Sequence, residues 1–252
     1  MEKLYSVNAE GCSIRCRLFA DSAQIVRTVI VCGHGFAGHK DSRSLTHFAE
    51  RILAKNRGAA VVCFDWPCHG DDVHRTLRLD DCGKYLRLVL ADVREKYGDC
   101  PVFGYAVSFG GYLFLKYLSE NGSPFVRTAL RCPAVNMYEV ILRANVTEAD
   151  LDRLRKGKTV PVGFDRKVGI DMAFLESLKR ADLTRRDFLP WADELLILHG
   201  TKDEIVPFDV VRDFAEQNVI DFVPVENADH RFQDPAKMDL ANARIAAFFG
   251  LH

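Results

Sequence analysis

The stretch Gly104 to Gly111, GYAVSFGG, joins an apolar strand pattern to Ser108, then to small residues, then to a helical pattern of Tyr112, Leu113, Leu115, Tyr117 and Leu118. A serine on such a tight strand-to-helix turn projects its hydroxyl from the carboxyl edge of a sheet. The helix behind it turns its positive end toward any oxyanion formed there. A side chain at Gly110 or Gly111 would hold that helix away from the strand. A serine hydroxyl is a poor nucleophile at neutral pH. Hydrolysis through Ser108 therefore requires a base to take its proton and a carboxylate to fix the base's tautomer and steady its charged form. Asp203 follows the run ELLILHG and precedes Pro207, and His230 follows IDFVPVE, so both fall in loops at the carboxyl ends of strands. Glu204 is the close rival to Asp203. Only the terminal His252 competes with His230 beyond that point.

Other polar groups carry weaker signals. His34 and His69 read as braces for loops near such a site rather than as catalytic groups. Asp71, Asp72 and His74 follow His69 without the spacing of a known metal-ligand set. Gly33 and Gly35 lack the third glycine that would open a helix in a dinucleotide-binding turn. The expectation is a site with no cofactor and no metal.

The elements that must position these residues alternate along the chain. Strands are expected at 12–20, 27–33, 59–64, 101–107, 126–132, 194–199 and 219–225, several of them unbroken apolar runs of the kind buried on both faces of a parallel sheet. One helix carries Leu45, Phe48, Ala49, Ile52 and Leu53 behind Asp41 or Ser42. A second carries Tyr85, Leu86, Val89 and Val93 and ends at Gly98. A last helix opens at Asp234-Pro235, turns Leu240, Ile245, Phe248 and Phe249 inward, and stops at Gly250. This alternation describes a mostly parallel central sheet with helices on both faces. The 57 residues from Ala134 to Pro190 break the rhythm without a convincing core strand. Thr147–Asp150 reads there as a capping box, and Met172, Phe174, Leu175 and Leu178 as an amphipathic helix. The segment is expected to be a small cap with its own apolar core. It interrupts a single core formed by residues 1–133 and 191–252, just before the last two core strands.

Composition excludes other classes. Lys and Arg number 34 against 35 Asp and Glu, a formal charge of -1, so there is no basic excess to suit nucleic acid. The apolar share of 48% is ample for a core, and no apolar run is long enough to span a bilayer. The amino terminus, MEKLYSVNAEGC, lacks a signal-peptide core. Cys32, Cys63 and Cys132 sit in strand-like runs, where a thiol behaves as a small hydrophobe. A reducing, cytoplasmic setting is the expectation.

Four motifs, in order, resemble the α/β-hydrolase family from about residue 12 onward. They are His34-Gly35-Phe36-Ala37-Gly38, Phe64-Asp65-Trp66-Pro67-Cys68-His69-Gly70, the turn around Ser108, and the pair His199-Gly200-Thr201-Lys202-Asp203 with Asp229-His230. Within the family they are most similar to small cinnamoyl/feruloyl-esterase-like and monoacylglycerol-lipase-like enzymes. The sequence departs at Ala106, where the family's elbow has glycine, and at Val107, where these relatives carry a polar residue. The resemblance implies an α/β-hydrolase fold and a triad of Ser108, Asp203 and His230. It also implies an oxyanion hole from the amides of Phe109 and Phe36. The implied activity is hydrolysis of small carboxylic esters through an acyl-enzyme. Thioester or amide hydrolysis and a non-catalytic binding role on the same fold are the alternatives. Met137, Tyr138, Phe164 and Phe174 of the cap are expected to line a short pocket suited to a compact acyl chain or an aromatic ring.

Overall fold

The computed structural model describes residues 2–71, 76–163 and 166–251. The first strands are β1 (Glu2–Ala9), β2 (Cys12–Ala20), β3 (Thr28–Gly33) and β4 (Ala59–Phe64), with helix α1 (Arg43–Lys55) between the last two. Then come α2 (Leu79–Tyr97), β5 (Val102–Val107), α3 (Phe109–Asn121) and β6 (Thr128–Arg131). The chain closes with β9 (Leu195–Gly200), α7 (Phe208–Gln217), β10 (Asp221–Val225) and α8 (Pro235–Phe248). Between β6 and β9 lie α4 (Met137–Asn145), α5 (Glu148–Arg155), β7 (Val160–Val162), β8 (Val168–Ile170), α6 (Met172–Arg180) and a short 3-10 helix, Leu189–Glu194.

Eight strands form one sheet in the order β1-β2-β4-β3-β5-β6-β9-β10, and only the pairings of β1 with β2 and of β2 with β4 are antiparallel. The apolar runs explain its centre: β4, β5 and β9 are buried at every position. From β3 the chain steps out to β4 and then back across β3 to β5. The loops after β3 and β5 thus leave the sheet beside a point where strand order reverses, the crevice in which open α/β sheets hold ligands.

Helices cover both faces. On one face α1 buries Leu45, Phe48, Ala49 and Ile52, spaced as a helical stripe, against a cluster shared with Ile245 and Phe249 near the end of the chain. Each large side chain of that kind contributes roughly 1.5–3 kcal/mol on burial. In α8 the inward residues are Met238, Ala241, Asn242 and Ile245, whereas Leu240 is 47% exposed. Leu240 is two residues from Met238 and lies about 200° around the helix from it, so an inward Met238 sends Leu240 outward.

The other face holds α2, α3, α7 and the insertion in one continuous cluster. Leu154, Val160, Val168, Phe174 and Leu178 join it, so among the described residues the insertion shares the main cluster instead of forming the separate apolar core expected above. The insertion is also tied to the segment that leads into α2. Leu77 donates to the Gly169 carbonyl at 2.8 Å, and Arg78 pairs twice with Asp171, at 2.9 and 2.6 Å. The capping box is present, with Thr147 Oγ1 accepting from the Asp150 amide and Asp150 accepting from the Thr147 amide, both at 3.2 Å.

Two elements differ from the sequence expectation. Strand β1 pairs along its full length with β2 but buries only Val7, so it offers no apolar run to read. The strands β7 and β8 form a separate two-stranded hairpin and leave the main sheet uninterrupted.

Candidate active site

Ser108 follows β5 and stands immediately before α3 with φ 53° and ψ −116°. A non-glycine residue in that region costs on the order of 1–3 kcal/mol and persists only where its surroundings enforce it. Here the surroundings are strand pairing and close packing. The Ser108 amide donates to the Arg131 carbonyl at 2.9 Å, and the Ser108 carbonyl accepts from Tyr112 at 3.0 Å. A Cβ on Gly110 would lie 2.6 Å from the His34 carbonyl oxygen and 2.7 Å from that of Gly33. Ala106 is accommodated because its register partner across the sheet is Gly33, whose own Cβ position is crowded by Phe114 and Trp66 at 3.1 Å.

This packing makes a prediction. Gly110→Ala should destabilise the protein by roughly 1–3 kcal/mol, because the obstacles are backbone atoms that cannot turn aside. Gly83→Ala, in the middle of α2 with open space around it, should be neutral or slightly stabilising. Thermal melting of the two variants checks this, and an unshifted Gly110→Ala midpoint would contradict the packing account.

Three side chains from separate loops meet at the turn. His230 Nε2 lies 3.0 Å from Ser108 Oγ, and His230 Nδ1 lies 2.7 Å from Asp203 Oδ2. A neutral His230 with its proton on Nδ1 therefore presents the Nε2 lone pair to the serine. Asp203 is held from every side. Its Oδ1 accepts from the amides of Ile205 and Val206 at 2.9 and 2.8 Å, and His199 Nε2 approaches Oδ2 at 3.2 Å. Burial alone would raise the Asp203 pKa, but the hydrogen bonds from His199 and His230 outweigh it and hold the carboxyl well below the usual carboxylate range. Glu204 instead accepts from the His230 backbone amide at 3.3 Å, so it positions the loop and leaves the ring to Asp203.

Two neighbours of Asp203 escaped the sequence reading. His199 was visible as part of a motif, but its second bond to the carboxylate was not. Cys132 follows β6 with φ 47°, and burial together with the nearby Asp203 charge raises its thiol pKa far above the ordinary value. The sequence marks Cys132 only as one more apolar strand residue. Cys132, Asp203 and His230 have ligand-type atoms within 4.8 Å of one another, yet an ion there would compete for the His230 Nδ1 that already faces Asp203.

The loop after β3 lies directly against the serine: a Cβ on Gly35 would be 3.3 Å from Ser108 Cβ. His34 holds that loop, with Nδ1 2.8 Å from the Gly35 carbonyl and Nε2 accepting from the Trp66 amide at 3.2 Å. Its burial lowers its pKa well below the ordinary histidine value, which keeps both bonds. The Trp66 indole returns a bond to the His34 carbonyl at 3.0 Å. Asp65 underneath accepts from the Lys40 amide at 2.6 Å and faces the Lys40 ammonium at 3.3 Å. Burial of His69 pulls its pKa down to about 4, and its ring stacks on Phe109 with centroids 6.0 Å apart. Phe36 and Phe109 meet edge to face at 5.5 Å. Phe109 is the first residue of α3, where backbone N–H groups have no partner within the helix.

Beside the serine opens a cavity of about 660 Å³, lined by Phe36, Ser108 and His230 on the core side and by Met137, Val140 and Arg166 of the insertion. Of the four residues expected to line it, Met137 does. Tyr138 does not, because successive helical residues point about 100° apart and α4 turns Met137 and Val140 toward the cavity. Phe174 does not either; it is buried in the core cluster with Leu175 and Leu178. Phe164 lies outside the described residues, as do Asp72 and His74.

Residues 29–242 match the model of the alpha/beta hydrolase family, and the chain belongs to that family. No curated protein sequence matches it. Among solved structures it is similar to Est1E from Butyrivibrio proteoclasticus with ferulic acid bound, at 18% identity over 97% of each chain and a TM-score of 0.75. It is similar to the esterase domain of a Rhodothermus marinus protein at 18% identity, covering 98% of this chain and 97% of that one, with a TM-score of 0.69. Alpha/beta hydrolase domain-containing protein 10 from mouse aligns at 16% identity over 98% of each chain, again with a TM-score of 0.69. At such identities the likeness is one of fold. Among the described residues no helix is long and apolar enough to cross a membrane.

Proposed function

We propose that the protein is a serine hydrolase that cleaves small carboxylic esters, with short-chain or aromatic acyl groups, through an acyl-enzyme. The observation that carries this is the continuous chain from Ser108 Oγ through His230 to a buried, ionised Asp203, placed at the mouth of a cavity. Ser108 attacks the ester carbonyl while His230 takes its proton. His230 returns that proton to the leaving alcohol, then activates the water that frees the acid. The amides of Phe109 and Phe36 receive the oxyanion. No cofactor or metal takes part. The eight free cysteines fit a reducing, cytoplasmic compartment.

The choice of small esters rests on the cavity. Its volume of about 660 Å³ lies within the range of small-molecule sites, and α4 bounds it with Met137 and Val140. Each methylene that fits adds about 0.8 kcal/mol of binding, so activity should climb over the first few carbons and collapse once the wall is reached. A series of nitrophenyl esters of increasing chain length, beside a hydroxycinnamate ester and an aminoacyl amide, tests the proposal. The expected maximum is at a short chain or at the cinnamate. A maximum at twelve or more carbons, or an amide preferred over every ester, would overturn it.

A further inference from the structure

The cavity wall is rich in arginine. Arg43, Arg131, Arg166 and Arg231 line it together with His39 and His47, and no Asp or Glu stands among the described residues that line it. Arg131 is the unusual member. It ends β6 beside the elbow, paired in register with Val107, and is only 2% exposed. Its side chain lies on the α1/α8 face of the sheet. There Nη1 is 2.8 Å from Met238 Sδ and the guanidinium carbon is 5.1 Å from the Phe232 ring centroid. Among the described residues its Nε has no hydrogen-bond partner and no carboxylate pairs with it.

A guanidinium taken out of water without a counter-charge is costly, and neither a thioether nor an aromatic face replaces the hydration it has lost. Its cost is offset if an anion enters the cavity. Arg131 lines the cavity, and a guanidinium suits a planar or tetrahedral oxyacid, which it binds through charge-assisted N–H bonds. We propose that Arg131 is a specificity-determining residue whose guanidinium binds an anionic oxygen group, a carboxylate or a phosphate, on the substrate of Ser108. This deepens the esterase proposal and rests on it. The preferred substrates are then esters whose acid carries a second, charged terminus, and the neighbouring arginines add a favourable field for their entry.

The test compares esters of matched shape. The mono-4-nitrophenyl ester of glutaric acid carries a terminal carboxylate where 4-nitrophenyl 5-methylhexanoate carries an isosteric branched methyl end. The wild-type protein should prefer the charged ester by about ten- to a hundredfold in kcat/KM, the range of a charge-assisted hydrogen bond. Arg131→Met should abolish or reverse this ratio, and Arg131→Lys should keep part of it. A third ester ending in a phosphonate separates the two acids, and a preference for either over the neutral ester supports the subsite. Calorimetry of the Ser108→Ala protein with monoethyl glutarate and ethyl 5-methylhexanoate reads anion binding without catalysis. If the wild-type protein hydrolyses no ester yet Ser108→Ala binds monoethyl glutarate more tightly, the esterase proposal falls and the anion subsite stands. Should Arg131→Met fail to fold, the lysine variant and the calorimetry still decide. A neutral ester preferred by the wild-type protein, an undiminished ratio in Arg131→Met, or equal binding of the two ethyl esters would overturn the inference.

Discussion

Replacing Ser108 with alanine should lower the turnover of any ester the wild-type protein hydrolyses by a factor on the order of 10⁵ to 10⁶, because a covalent triad fails as a unit. The fold should survive. Alanine meets the same positive φ as serine, and the hydroxyl's bond to His230 Nε2 is the side-chain contact removed at the cavity edge. The strand and helix bonds that shape the turn come from the backbone of residue 108 and are retained. Steady-state kinetics on purified protein, with circular dichroism to establish folding, measure the effect. Turnover near the wild-type value in the folded variant would remove Ser108 from the mechanism.

Asp203→Asn should cost about 10⁴ in turnover. The geometry shows why so small a change matters. One carboxylate oxygen accepts from two backbone amides and the other faces two histidine nitrogens, so an amide group cannot suit both sides. With its NH₂ toward His230 it would stabilise the tautomer with the proton on Nε2, which cannot take one from Ser108. With its NH₂ toward Ile205 and Val206 it would set donors against donors. Some stability should be lost with the activity, since a buried polar group left without a partner costs about 1–3 kcal/mol. Glu204→Gln is the informative companion. Glu204 accepts from the His230 backbone amide and leaves the ring to Asp203, so its variant should keep most of the activity. Kinetics in which Glu204→Gln is the more damaged variant would make Glu204 the carboxylate that serves His230.

The parts legible in the sequence are those whose physics is local. Unbroken apolar runs such as those at 59–64 and 101–107 read as strands buried on both faces, and Ala59–Phe64 and Val102–Val107 are buried at every position. Ser108 and Asp203 could be found because each follows such a run, and His230 because it follows edge strand β10 within the Asp229-His230 motif; a strand's carboxyl end is where a parallel sheet places its chemistry. Edge strand β1 was not legible: seven of its eight residues keep some exposure, and what holds it is pairing with β2, a property of two segments rather than one.

Side-chain direction was the other blind spot. Tyr138 and Phe174 have the right chemistry for a pocket wall, but their helices turn them elsewhere, and that phase depends on how α4 and α6 dock. Arg131 escaped for a related reason. It reads as the polar end of a strand and acquires meaning only when it is seen buried beside Phe232 and Met238 without an acid.

The central claim is that the surrounding groups activate Ser108 as a nucleophile. A fluorophosphonate probe tests it most directly, since it reacts rapidly with serines that a neighbouring base activates and needs no knowledge of the natural substrate. The wild-type protein, treated with the probe, digested and mapped by mass spectrometry, should carry a single adduct on Ser108, and the Asp203→Asn protein should label far more slowly. An unlabelled wild-type protein, or an adduct at any other residue, would contradict the account.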